Sequence, residues 1–263
     1  MNRLFCNGEP ADAALLSAAL VNYGHFTSLQ VRAGAAQGWA LHMQRLQQGT
    51  RELFDAELDE VQLRHWLRQA LVQCGVVDAS LRITVFSRDF DFRQPLRAVP
   101  VDVLIGVGAP AAVPATGRAV LPVPYQRDMP HLKHAGTFPL FQQRRMAMQQ
   151  GFDDVLFVDA AGRVSEGSTW NLVFLDEHAV VWPQAAALRG TTEQLLKAGL
   201  DALGQPQRLE ERRLPLHGLR GAVACNATGL WPLVRIGEQG MPNSAELLAL
   251  LQWALAQTWR LPL

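Results

Sequence analysis

The sequence predicts an α+β fold of two domains. Three observations carry that prediction. Strand-like segments outnumber helical ones, the two kinds are mixed rather than strictly alternating, and a stretch rich in Ala, Pro and Gly (GAPAAVPATG, 108–117) divides the chain near its middle. The 263 residues, 49% apolar and 18% charged, suffice for a sizeable core and exclude a disordered chain. The expected domains are an N-terminal α+β unit over 1–112 and a C-terminal unit over 118–263.

The elements follow in order. Residues 20–32 (LVNYGHFTSLQVR) predict strand, turn and strand, and apolar or long residues at helical spacing predict a helix over 42–54. Residues 59–75 predict an amphipathic helix with Val61, Leu63, Trp66, Leu67, Leu71 and Val72 as its core face and Gly75 as its stop. Strands are expected at 81–86, 101–107 and 119–124. Pro139 and Gly151 bracket a helix by the usual entry and exit asymmetry. Strands at 154–158, 171–175 and 179–182, a helix over 191–203, a strand at 221–225 and a helix over 244–258 complete the reading.

Charge and cysteine content exclude several function classes. With 24 basic and 24 acidic residues there is no electrostatic footprint for nucleic acid. No apolar run is long enough for a membrane span, and the N-terminal segment does not read as a secretory signal. Cys6, Cys74 and Cys225 are widely spaced and form no CxxC pair, which argues against a disulfide scaffold or zinc site and fits a reducing cytoplasm. No metal is expected at His131 and His134, the two histidines beside Lys133.

Only two of the 24 basic residues are Lys, Lys133 and Lys197. Amine chemistry requires a Lys that is placed on fixed backbone and partly desolvated, and Arg cannot substitute for it. Lys197 reads as a solvated helix lysine, whereas Lys133 lies in HLKHAGTF between a Pro-containing segment and a helix. Further on, GFDDVLFVDAAGRVSEGSTWNLVF (151–174) reads as a hairpin delivering Glu166, Gly167 and Ser168. In LRGTTEQLL (188–196), Thr191 and Gln194 fit a capping box, and a helix start behind Gly190 offers N–H groups to an anion. In ACNATGLWPLV (224–234) small polar residues end a strand, either as a phosphate pocket or as a plain turn.

The order and spacing of these segments resemble the class IV, fold-type IV pyridoxal-phosphate enzymes, which include D-amino-acid and branched-chain aminotransferases and 4-amino-4-deoxychorismate lyase. The resemblance covers nearly the whole chain: YGHFTSLQV, His42-Met43-Gln44-Arg45-Leu46, LKH, the block around Glu166 (its most specific part), LRGTT and NATGLWPL. It implies a smaller N-terminal α/β sandwich and a larger, barrel-like C-terminal domain with helices. Lys133 would hold pyridoxal 5'-phosphate and act as general base and acid. Glu166 would face the pyridine nitrogen, and Asn171 would support the Glu166 loop. Arg45, Thr191 and Thr192, with Ala227 or Thr228, would hold the phosphate. His25, Arg88 and Arg93 are the candidate substrate-binding residues. The activity implied is amino transfer between an amino acid and a 2-oxo acid, in a cytoplasmic homodimer. The alternatives are pyruvate elimination by the lyase and a non-catalytic binding protein that keeps the fold.

Overall fold

A computed structural model describes residues 3–12, 15 and 21–263; Leu20, at the start of the expected strand–turn–strand, lies outside them. The chain forms two compact units. The first holds residues up to Ala111 together with Leu132–Gly136 and Arg260–Leu263; the second holds Ala112–His131 and Thr137–Trp259. The segments 132–136 and 260–263 are ones that a single cut at the linker leaves in the second domain.

In the first unit β1 (Arg3–Cys6), β2 (Glu9–Pro10), β3 (Gly24–Arg32), β4 (Ala35–Gln37), α1 (Trp39–Phe54), α2 (Glu60–Cys74), β5 (Ala79–Phe86) and β6 (Asp102–Gly108) follow in order. With the C-terminal strand Arg260–Pro262 they build an antiparallel sheet ordered C-terminal strand, β4, β3, β5, β6, β1, β2. Strict alternation in β5 explains its two faces. Leu81, Ile83 and Val85 are buried toward α1 and α2, where Trp39, Met43, Leu46, Leu63 and Leu67 meet them. Ser80, Arg82 and Thr84 face the other way.

Of the strand, turn and strand expected in 20–32, the described residues show one continuous strand, Gly24–Arg32, because β5 pairs with it from Gly24 to Val31. Helix α1 begins at Trp39, earlier than its apolar spacing suggested. Helix α2 matches its expected span, with Asp59 accepting from the Val61 and Gln62 N–H groups and Gly75 closing it in the left-handed region. Its core face is narrower than expected, since Val61 and Val72 are exposed while Leu63, Leu67, Ala70 and Leu71 are buried.

The second unit runs β7 (Arg118–Pro124), α3 (Phe138–Gln149), β8 (Asp154–Val158), β9 (Val164–Gly167), β10 (Asn171–Asp176), β11 (Val180–Pro183), α4 (Thr191–Ala202), β12 (Gln207–Glu210), β13 (Leu219–Asn226), β14 (Gly229–Ile236), β15 (Gln239–Gly240) and α5 (Ala245–Ala256). Its sheet is ordered β12, β11, β10, β13, β14, β7, β8, β9, with β15 beside β14. The sheet curls until β9 lies beside β10, where the Gly167 N–H donates to the Trp170 carbonyl at 2.9 Å. Inside the curl pack Val120, Leu156, Leu172, Phe174, Ala224, Trp231 and Leu233. Outside, Val173, Leu175 and Val223 meet Leu196, Leu200, Leu247 and Leu251 of α4 and α5. Strand β10 is buried on both faces, which is why it reads as a continuous apolar run.

The close approach of α4 and α5 depends on Gly199. A Cβ there would lie 2.1 Å from the Ala254 carbonyl oxygen, which is backbone and cannot step aside. Gly199→Ala is expected to destabilise the protein by about 1–3 kcal/mol through overpacking, read as a lower melting temperature. An unchanged melt would show that the two helices separate freely.

Candidate active site

Lys133 is fixed by backbone rather than by a loop. In the first unit, β3 pairs with β5 along one edge and with β4 only at Val31 and Arg32 on the other. The open half of that second edge is taken by residues 133–135. The Phe26 N–H donates to the Lys133 carbonyl at 2.9 Å, the Ala135 N–H donates to the Gly24 carbonyl at 2.8 Å, and His25 pairs with His134. Lys133 Nζ lies 4.9 Å from the centroid of the Phe26 ring, and the Arg82 guanidinium carbon lies 3.6 Å from the same centroid. Arg45 projects half-buried from α1.

The opposite face of β3 meets α1 at two buried histidines, His25 of β3 and His42 of α1. His42 Nδ1 and Thr27 Oγ1 are 2.7 Å apart, and burial, with Arg45 and Lys133 adding to it, lowers the His42 pKa to about 3. His25 Nε2 lies 3.0 Å from Thr50 Oγ1, and burial lowers its pKa to about 4. The His25 ring packs so tightly on α1 that a Cβ on Gly49 would approach it to 2.6 Å. It is packed between strand and helix, on the face of β3 turned away from Phe26.

Both imidazoles stay neutral in the folded chain to well below the ordinary value. Between pH 6.5 and about 4 the unfolded chain therefore binds protons that the folded chain does not, so stability falls with falling pH, by up to about 1.4 kcal/mol per pH unit for each histidine. The melting temperature should drop more steeply from pH 7 to 5 in the wild type than in His25→Gln; equal slopes would count against this assignment.

Arg88 and Arg93 have different surroundings. Arg88 is latched to Asp102, with Nη2 to Oδ1 at 2.7 Å and Nε to Oδ2 at 3.1 Å. Arg93 is exposed, with its guanidinium over Phe92.

In the second unit, Glu166 lies one residue before the end of β9, almost fully buried at 3% exposure. Its Oε1 accepts from Arg127 Nε and from the Leu188 N–H, each at 3.2 Å. Arg127 is equally buried, so this is an ion pair out of water. Trp170 packs flat against Gly167, where a Cβ would lie 1.9 Å from the indole.

Helix α4 begins differently from its expected capping box. Gly190 is the N-cap, Thr191 is the first helical residue, and no side chain caps the helix among the described residues. Gln194 Nε2 instead donates to the Arg189 carbonyl at 3.3 Å. Thr191 and Thr192 are buried beside that start. Asn171 holds the preceding loop, through Nδ2 to the Leu188 carbonyl at 2.7 Å and Oδ1 from the Gly190 N–H at 3.1 Å.

Ala227 and Thr228 sit half-buried in the β13–β14 turn, where the Thr228 N–H donates to Asn226 Oδ1 at 2.8 Å. Asn226 Nδ2 reaches the Thr169 carbonyl at 3.2 Å, tying this turn to the loop after Glu166. Past the turn the chain continues through Pro232 as an inner strand paired to both β13 and β7, rather than as a plain turn.

Lys197 is not the solvated lysine expected. Its Nζ lies 2.5 Å from Oε1 of the buried Glu193 and 4.9 Å from the Trp182 ring centroid. It neutralises a carboxylate in the first turn of α4, together with Arg189.

The model of the class IV amino-transferase family matches residues 24–236, which spans every residue just described except the chain ends. The chain belongs to the class IV aminotransferases. A hypothetical aminotransferase from Mycobacterium tuberculosis, solved in a PLP-bound form, is 21% identical, with a TM-score of 0.80 over 97% of this chain and 98% of that one. A branched-chain aminotransferase from Thermoproteus uzoniensis, solved with norvaline, is 17% identical, with a TM-score of 0.86 over 99% and 98%. The branched-chain amino acid aminotransferase of Escherichia coli is 18% identical, with a TM-score of 0.82 over 95% and 92%. Among curated protein sequences there is no match. At these identities the solved structures establish the shared fold.

Two residues of this class IV aminotransferase that the sequence did not single out lie beside candidate site residues. Arg127 pairs with Glu166, and Arg82 shares the Phe26 ring with Lys133. Arg82 was legible in part, since the alternation in LRITVF sets it on the face opposite the core. Arg127 gave no signal among so many arginines.

Proposed function

We propose that the protein transfers an amino group between an amino acid and a 2-oxo acid, with pyridoxal phosphate held at Lys133. The observation that carries this reading is the placement of Lys133, one of two lysines in the chain, on a segment whose backbone is hydrogen-bonded to β3 at residues 133 and 135.

The residues present suit that cofactor. A buried carboxylate, Glu166, is held by a guanidinium and a backbone N–H, and suits a protonated ring nitrogen. A helix start without a side-chain cap suits a phosphate. Ser168 Oγ is buried without a hydrogen-bond partner among the described residues, so a polar atom near Glu166 is still to be satisfied.

When bound, pyridoxal phosphate supplies an electron sink for the negative charge that develops at the substrate Cα. Lys133 Nζ would take the proton from that Cα as general base and, as general acid, deliver it to C4′ of the cofactor. Glu166 presents a fixed negative charge whose position Arg127 secures. Arg45 and the Thr191 and Thr192 N–H groups would hold the phosphate, as would Ala227 or Thr228. Arg82 offers a cation for a substrate carboxylate on the face that carries Phe26 and Lys133.

We further propose a cytoplasmic homodimer; the three free cysteines, Cys6, Cys74 and Cys225, support a reducing compartment. The activity is tested by offering the holo-protein a panel of amino acids with 2-oxo acids and, separately, aminodeoxychorismate. Matched formation of a new amino acid and a new 2-oxo acid is expected. Pyruvate and 4-aminobenzoate released without any amino acceptor would replace transfer with elimination, and no turnover of either kind would leave a binding protein.

A further inference from the structure

We propose that Asn171 is a positioning residue that sets both ends of the cofactor site in the second unit with one side chain. The inference rests on the reading above, in which Glu166 serves the ring nitrogen and the start of α4 serves the phosphate.

Asn171 opens β10 and is 6% exposed, so its amide is carried by a rigid inner strand. Both of its polar atoms are spent on one three-residue loop, Leu188–Gly190. The two ends of that loop lead to different parts of the site. At one end, the Leu188 N–H donates to Glu166 Oε1, so the peptide that Asn171 grips through the Leu188 carbonyl belongs to the residue that steadies the carboxylate. At the other end, Gly190 is the N-cap of α4, so the grip on its N–H sets where the Thr191 and Thr192 N–H groups begin. A planar amide that donates at one end of a loop and accepts at the other holds the loop's span as well as its place.

The fit at Gly190 supports this. Its backbone, with φ of −65° and ψ of 150°, is one that any residue adopts, so glycine is not required there for conformation. A Cβ at that position would lie 2.2 Å from Asn171 Oδ1, and the atoms it would meet all belong to Asn171. The glycine is therefore matched to the Asn171 contact itself.

The two ends can be read separately on the full chain freed of cofactor. Pyridoxal, which lacks the phosphate, reports the Glu166 end, and inorganic phosphate competing with pyridoxal phosphate reports the helix end. In Asn171→Ala both dissociation constants are expected to rise about ten-fold, the order set by losing a hydrogen bond at each end, while far-UV circular dichroism stays unchanged. Gly190→Ala should give the same double loss, because its new Cβ displaces Asn171 Oδ1. In the Asn171→Ala background, Gly190→Ala should add nothing further, since the atom it collides with is gone.

Weakening of one ligand alone, or of neither, overturns the proposal, as does full additivity of the two substitutions. Should Asn171→Ala fail to fold, Gly190→Ala alone must still weaken both ligands, and any other result overturns it. Wild-type protein that binds neither pyridoxal phosphate nor pyridoxal overturns the cofactor reading itself, and that failure is visible before any variant is made.

Discussion

Lys133→Arg is expected to abolish covalent capture of pyridoxal phosphate and to lower turnover by at least about 10²–10⁴-fold, the span that general acid–base catalysis supplies on its own. Arg keeps the positive charge beside Phe26 but has no amine that can lose its proton and attack a carbonyl. Lys197→Arg is the matched control. It preserves a cation against Glu193 and should leave cofactor binding and turnover nearly intact. Borohydride reduction of the holo-protein followed by peptide mass mapping should place the added pyridoxyl mass on Lys133. Mass on Lys197 alone, or on neither lysine, would sink the assignment of Lys133.

The second large effect is expected at Arg127. Its guanidinium and the Glu166 carboxylate are both nearly fully buried, at 3% and 4% side-chain exposure. Removing one member of such a pair leaves the other charge in a poor dielectric, at a cost of about 3–5 kcal/mol. Arg127→Met should therefore lower the melting temperature by roughly 10 °C for a protein of this size. The double variant Arg127→Met with Glu166→Gln should recover much of that loss, since two neutral groups of similar volume replace the pair. Activity should not return with stability, because the negative charge is gone. A double variant no more stable than the single would mean that the cost lies in packing and not in the unpaired charge.

Legibility in the sequence follows from physics that is local. Alternation in ASLRITVF and the Asp59 and Gly75 caps of α2 act within a few residues, and both elements sit where they were read. Lys133 stands out as a candidate because lysine is scarce here. What escaped depends on distant neighbours. β3 is one strand because β5 lies along it, a fact absent from residues 20–32. β14 accepts Pro232 because strands on both sides hold it in place. Thr191 satisfies the local pattern of a cap, yet Asn171, far back in the chain, pulls Gly190 into that place. Nothing near His25 or Arg88 in sequence announces their partners Thr50 and Asp102.

The strands that complete the first unit arrive late. The open half of the β3 edge waits for residues 133–135, and β4 receives its outer neighbour only from Arg260–Pro262. During synthesis from the N-terminus, unpaired N–H and C=O groups on β3 and β4 are thus available to other chains until those segments emerge. A ribosome that stalls within the second unit leaves behind a sticky sheet edge, and truncation just before residue 260 leaves β4 without its outer neighbour in the same way.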